Sequence, residues 1–254
     1  MKPSKFLFVS VVSVLIVIIG YSGYRVWSIN NIYAQEAQMH ERLIQYRPIP
    51  QSGYDRSVPD GGVINQGILE LQAKYPDVVG WLTIPNTSID YPFAQSHDNE
   101  YYLHLDLDKN NSSAGTLFID FRNNSDFNDF NTLIFGHSMR NGSMFGTLEN
   151  FSNGDFFNFN ASGTVLTANE VYEIEFMAFA VINPDDATIY NPIFMTDADK
   201  LEFLSYIRDA ARHYRDIDAT INDNFVTLST CNYEFNNARM VLVGRIASTT
   251  KAHG

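Results

Sequence analysis

FVTLSTCNYEFNNARMVLVGRIA, residues 225–247, reads as two strands and the loop between them. FVTLST (225–230) and MVLVGRIA (240–247) are short β-branched and apolar runs, and the polar NYEFNNA (232–238) separates them. The first strand ends on Cys231, the single cysteine of a 254-residue chain. Arg239, eight residues later, stands at the start of the second strand. If the two strands pair through the loop, Arg239 returns close to Cys231. An arginine beside a thiol favours the thiolate and offers hydrogen bonds to a developing oxyanion.

The same texture extends upstream. VVGWLTIP (78–85), SIDYPF (88–93), GTLFID (115–120), TLIFG (132–136), TVLTA (164–168) and YEIEFMAFAVI (172–182) are separated by Asn, Asp, Gly and Pro. Eight such runs in about 170 residues predict one closed or nearly closed β-barrel, because closure removes exposed strand edges. Two helical stretches interrupt it. MFGTLENF (144–151) is short, and DADKLEFLSYIRDAARHY (197–214) is longer, with Leu201, Leu204, Ile207 and Ala211 at helical spacing. Ahead of the barrel, residues 30–47 read as a polar helix, 48–62 as a Pro/Gly/Ser-rich linker, and VINQGILELQAKYP as a second short helix stopped by Pro76.

The composition, 45% hydrophobic and 14% aromatic, is that of a globular chain. A formal net charge of -12 argues against nucleic acid as a partner, since phosphate binding needs a basic face. The acidic surface is read as a solubility feature. Residues 6–24, FLFVSVVSVLIVIIGYSGY, carry no charge. Nineteen residues at ~1.5 Å each span ~28 Å, about one bilayer core. Lys2 and Lys5 precede the run, and Arg25, Trp27 and tyrosines stand at its far end. An uncleaved signal anchor fits better than a cleaved signal peptide, because the run is long and its small-residue cleavage site is poor. The bulk of the chain is then expected outside the membrane. There a lone cysteine is an intermolecular bridge, a buried spectator or a reactive thiol.

A cysteine nucleophile needs a histidine. Of the six, His253 is near the terminus, and His40 and His213 sit in polar helical contexts. His97 and His104 flank DNEYYL without a third metal ligand at convincing spacing. His137 stands apart: it ends TLIFG and opens the polar loop SMRNGSMFG, so a second strand end presents a chemically capable side chain. DLDKNNSSAGTL (106–117) begins like a calcium loop but has Asn111 where glycine belongs and Leu117 where the bidentate Glu belongs. No metal and no cofactor is expected.

TLSTC with Arg239 eight residues on, and LIFGH about ninety residues upstream, resembles the sortase cysteine transpeptidases of Gram-positive bacteria, class B above all. The resemblance covers roughly residues 63–247 and includes VVGWLTIPNTSIDYPFAQSHDNEYYL and GSMFGTLENF. It implies a mainly β fold: a sortase-type closed barrel of about eight strands with N-terminal helices and one inserted helix. The organisation expected is a cytoplasmic tail (1–5), a signal anchor (6–24), a helical and linker lead-in (25–62) and a catalytic domain (63–254). The resemblance also implies a two-step acyl transfer. Cys231 would attack the peptide bond after Thr in a C-terminal sorting signal. His137 would protonate the departing amine and deprotonate the incoming one, and Arg239 would hold the substrate backbone and stabilise the oxyanion. Ser229 would line the pocket, and Asn99 would assist. The implied partners are secreted proteins bearing sorting signals and an amine of the cell wall precursor, or of a pilin. The reaction would take place on the outer face of the cell membrane. Two other readings use the same residues differently: a secreted cysteine peptidase that only hydrolyses, and a membrane-tethered β-barrel binding module with Cys231 buried.

Overall fold

The structure, a computed structural model, describes residues 3–48, 65–230 and 238–251. Cys231, the loop after it, His253 and nearly all of the 48–62 linker lie outside the described residues. The chain divides into two compact units, residues 1–41 and 42–254.

The first unit is almost all helix. Helix α1 runs unbroken from Pro3–Ile44, 42 residues. The apolar segment and the polar stretch after it therefore form one helix, not two. No proline falls between Pro3 and Pro48, and Gly20 and Gly23 alone do not break a helix. Its apolar stretch has a mean hydropathy of 2.2, and its side chains from Leu7 to Ile19 are largely exposed. Length and composition suffice to cross a membrane.

The second unit is a β-barrel. Helix α2 (Gln66–Lys74) buries Ile68 and Leu71 and ends before Pro76. The strands are β1 (Val78–Thr83), β2 (Asp90–Ala94), β3 (Leu117–Ile119), β4 (Asn131–Gly136), β5 (Ser162–Thr167), β6 (Glu170–Ile182), β7 (Ala211–Tyr214), β8 (Phe225–Thr230) and β9 (Arg239–Lys251). They pair in the order β5-β1-β2-β3-β4-β8-β9-β6-β7, and β5 pairs with β6 as well. That last pairing closes eight strands into a barrel, as the sequence pattern predicts. All pairs are antiparallel except β2 with β3 and β4 with β8. Between β2 and β3 lies a one-turn helix, α3 (Tyr101–His104); between β4 and β5 lie a 3-10 turn (Gly146–Ser152) and α4 (Gly154–Phe159).

Strand alternation sorts side chains into two cores. Val226 and Leu228 of β8 and Leu242 of β9 face the barrel interior with Phe93, Leu117, Ile134 and Phe145. Phe225 of β8 and Val241 and Val243 of β9 face the other way, against Phe203 and Ile207 of α5 (Asp197–Ala210). β8 is therefore buried on both faces, which explains why FVTLST reads as a continuous run and not as an alternating one.

The expected helix over 197–214 needs correction. It begins as the sequence suggests, with Thr196 and Asp199 forming a reciprocal capping box. It stops at Ala210, and Ala211 takes an extended conformation (φ -66°, ψ 130°). Residues 211–214 then pair with β6 beyond the stretch occupied by β5. His213 Nε2 bonds the Ser152 carbonyl at 2.8 Å, and the Arg215 guanidinium bonds the carbonyls of Phe157, at 2.8 Å, and Phe176. Main-chain pairing along an open edge outweighs the helical spacing that Ala211 shares with Ile207.

Candidate active site

The parallel pair β4–β8 builds the site. Six consecutive residues pair in register, from Asn131 opposite Phe225 to Gly136 opposite Thr230. Both strands stop at that level. The next residue in sequence after Gly136 is His137, and the next after Thr230 is Cys231. Gly136 is required here by space: a Cβ would lie 2.3 Å from Leu117 Cδ2 and 2.9 Å from the Phe145 ring.

His137 is half-buried, and its Nε2 lies 2.8 Å from the carbonyl oxygen of Leu103, the penultimate residue of α3. A carbonyl only accepts, so Nε2 carries the hydrogen and, in the neutral ring, Nδ1 is the basic nitrogen. The bond also fixes the ring plane. The loop that follows is folded back by Phe145 N donating to the His137 carbonyl at 2.9 Å and by an isolated bridge between Ser138 and Met144.

Arg239 opens β9. Its Nη1 donates to the Thr230 carbonyl at 3.2 Å, and Met240 N donates to Thr230 Oγ1 at 3.1 Å. The guanidinium is thus held against the end of β8, within one residue of position 231. It stays half-buried, with a charge that water screens incompletely.

Ser229 and Asn99 are placed at two ends of one network. Ser229 is buried, and its Oγ shares a 2.9 Å hydrogen bond with the Tyr190 hydroxyl. Tyr190 comes from the segment between β6 and α5, and its ring stacks on Phe135, the residue opposite Ser229 in β4. Its carbonyl accepts from Arg122 Nη2 at 3.0 Å. Arg122 grips Asp120 through Nε at 2.8 Å and Nη2 at 2.7 Å, and Asn99 Nδ2 donates to the same carboxylate at 3.0 Å. Asn99 Oδ1 in turn accepts from Phe121 N at 3.1 Å. Asp120 is fully buried. Burial pushes its carboxyl up, but Arg122 and Asn99 outweigh it and hold the group below the usual carboxylate range.

Sequence reasoning did not single out Tyr190, Arg122, Asp120 or the Leu103 carbonyl. The one available signal was FIDFR, an acid and an arginine two apart just past a strand end. Of the other described histidines in this unit, His97 pairs with Asp98 at 3.2 Å and His104 with Glu100 at 3.7 Å. No cluster of three or more His, Cys, Asp or Glu suited to a metal occurs among the described residues. Asp106 of the calcium-loop lookalike instead closes its own turn, accepting from Asn110 N at 2.9 Å around Lys109 at φ 65°.

Comparison with known proteins places these features in context. The sortase domain family matches residues 82–247. Sortase B of Listeria monocytogenes is 34% identical over 189 residues, covering 74% of this chain and 76% of that protein. Sortase B of Staphylococcus aureus is 28% identical over 249 residues, covering 97% and 98%. Among solved structures, the Staphylococcus aureus sortase B–substrate complex superposes with a TM-score of 0.75 at 25% identity, covering 87% of this chain and 98% of that one. Clostridium perfringens sortase B gives 0.66 at 34% identity, covering 70% and 97%.

Proposed function

We propose, from the premise that this chain belongs to the sortase family and that its relatives are of class B, that it cleaves a sorting signal through Cys231 and passes the acyl group to an amine. Sortases are cysteine transpeptidases that act on sorting-signal substrates. The finer steps assigned here rest on one observation, the register of Gly136 opposite Thr230, whose sequence successors are His137 and Cys231.

In the first step the Cys231 thiolate attacks the carbonyl carbon of the Thr residue in the signal. The oxyanion that forms faces the Arg239 guanidinium, whose bond to the Thr230 carbonyl supports this role. The C–N bond breaks, and the departing amine takes a proton from the His137 imidazolium at Nδ1. A thioester remains. In the second step an amine attacks the thioester and gives its proton to neutral His137, and the thiolate leaves. Nε2 keeps its proton on the Leu103 carbonyl throughout, so the ring need not turn between steps.

Ser229 and Asn99 belong to the substrate side of this reading. Ser229 is two residues before the nucleophile, and Asn99 is joined to it through Asp120, Arg122 and Tyr190. No cofactor enters the chemistry. Helix α1 is compatible with a single membrane anchor and supports a catalytic domain on the outer face, where secreted proteins and wall precursors meet.

Intact mass of the full-length chain in detergent, incubated with pooled sorting-signal peptides, tests the reading. The expected result is an acyl adduct on the wild type and none on Cys231→Ala, with the adduct converted to an amine-linked product when an amine is added. An adduct that only hydrolyses would identify a peptidase. No adduct, with Cys231 inert to alkylation, would identify a binding module.

A further inference from the structure

We propose that the Asp120–Arg122 pair, its carboxylate buried and its guanidinium reaching the surface, is a positioning element for this active site, acting through the main chain of Tyr190 to hold its phenol on Ser229. The inference rests on the assignment of Cys231 as the nucleophile.

The pair is local: two residues apart in sequence, with both carboxylate oxygens engaged by Nε and Nη2, it satisfies itself. A pair serving only to neutralise a buried acid needs nothing more. Arg122 Nη2 nevertheless makes a third bond, at 3.0 Å, to the carbonyl of Tyr190, 68 residues away in sequence. That contact ties the turn after β3 to the segment between β6 and α5.

The segment is fixed from its other side too. The Asp186 carboxylate accepts from the backbone N–H groups of Thr188 and Ile189, both at 3.0 Å, and from the Tyr206 hydroxyl of α5. Asn131 Nδ2 bonds the Ile189 carbonyl at 3.4 Å. Tyr190 thus has its backbone clamped between Arg122 and this turn, while its ring lies on Phe135 and its hydroxyl reaches Ser229. A phenol has only two side-chain torsions, so fixing the backbone largely fixes where the hydroxyl goes. Displacement of such a contact by about 1 Å is enough to cost a large factor in rate. Asn99 completes the unit by holding Asp120 in the orientation that Arg122 needs.

A double-mutant cycle on the full-length chain in detergent tests this: wild type, Arg122→Ala, Tyr190→Phe and the double variant, each assayed for kcat and KM with a sorting-signal peptide and for amide exchange over residues 186–193. Arg122→Ala is expected to lower kcat/KM about tenfold in the wild type and no more than about twofold in the Tyr190→Phe background. Faster amide exchange in that segment should accompany it. Arg122→Lys, which keeps the charge but not the fork, should reproduce the loss without lowering Tm should the alanine variant fail to fold. Losses that multiply, or unchanged exchange in Arg122→Ala and Arg122→Lys, overturn the positioning role. Failure of the wild type to form a Cys231-dependent adduct strikes the nucleophile assignment instead, and the exchange measurement still decides the clamp.

Discussion

Gly136 of β4 and Thr230 of β8 stand directly opposite one another, the last pair of a six-residue parallel register. Parallel pairing brings the C-terminal ends of the two strands to one level. An antiparallel pair would have sent them to opposite ends of the barrel. The Arg239 bond to the Thr230 carbonyl adds a third element at that level.

Gly136→Ala tests how closely that level is set. The added methyl meets Leu117 and the Phe145 ring well inside contact distance, and both are fully buried. Overpacking of this kind costs about 1–3 kcal/mol. The strain falls on the peptide that carries His137, so turnover is expected to fall by more than the loss of folded protein explains. Thermal melts alongside single-turnover cleavage would show it; activity that tracks the folded fraction alone would refute the coupling.

Much of this was legible in the chain itself. The eight barrel strands announce themselves as β-branched runs, and the strand-end positions of His137 and Arg239 follow from where those runs stop. Topology was not legible: nothing local in TLIFG or FVTLST says that they pair with each other, and in parallel, across about ninety residues. The β7 strand was hidden because ARHY continues a helical pattern, and edge pairing with β6 is a tertiary effect. Tyr190 was hidden for a similar reason. Its segment, NPDDATIYNPIF, has no periodicity, and its order comes from side-chain bonds to Asp186, Arg122 and Asn131.

His137 carries a prediction about which step it serves. In the proposed mechanism Nε2 stays on the Leu103 carbonyl and Nδ1 transfers the proton. His137→Ala should lower peptide cleavage by about 10²–10⁴-fold, the usual range for a general acid–base group. Alkylation of Cys231 by a small reagent needs no leaving-group proton, so it should persist. Near-normal peptide cleavage by the variant would remove His137 from the mechanism.

Arg239 separates charge from geometry. Its Nη1 donates to the Thr230 carbonyl, and in the proposed mechanism the same planar fork also serves a substrate oxygen. Arg239→Ala is expected to lose about 10²–10³-fold in kcat, as for removal of an oxyanion donor. Arg239→Lys should recover only part of this, because one ammonium group does not span both partners. Full rescue by lysine would assign Arg239 a purely electrostatic role.

Acid provides a measure of the Asp120 clamp in the folded protein. Burial opposes the ionised form of Asp120, but Arg122 and Asn99 prevail and its carboxyl sits below the ordinary range. Asp77 shifts the same way, chiefly through the Tyr102 hydroxyl at 2.6 Å, with Lys109 at 3.3 Å assisting against desolvation. A lowered folded-state pKa means that the unfolded chain takes up protons first as pH falls. The stabilisation is therefore complete above the unfolded value of about 3.9 and is lost as pH drops through the lower folded-state values. Tm should be flat with respect to these two groups from neutrality to about pH 5 and should fall below about pH 4. Asp120→Asn, melted over the same range, should start lower at pH 7 and descend less steeply below pH 4. A variant whose Tm runs parallel to the wild type throughout would show that Asp120 titrates as an ordinary surface carboxylate, and the clamp would lose its charge.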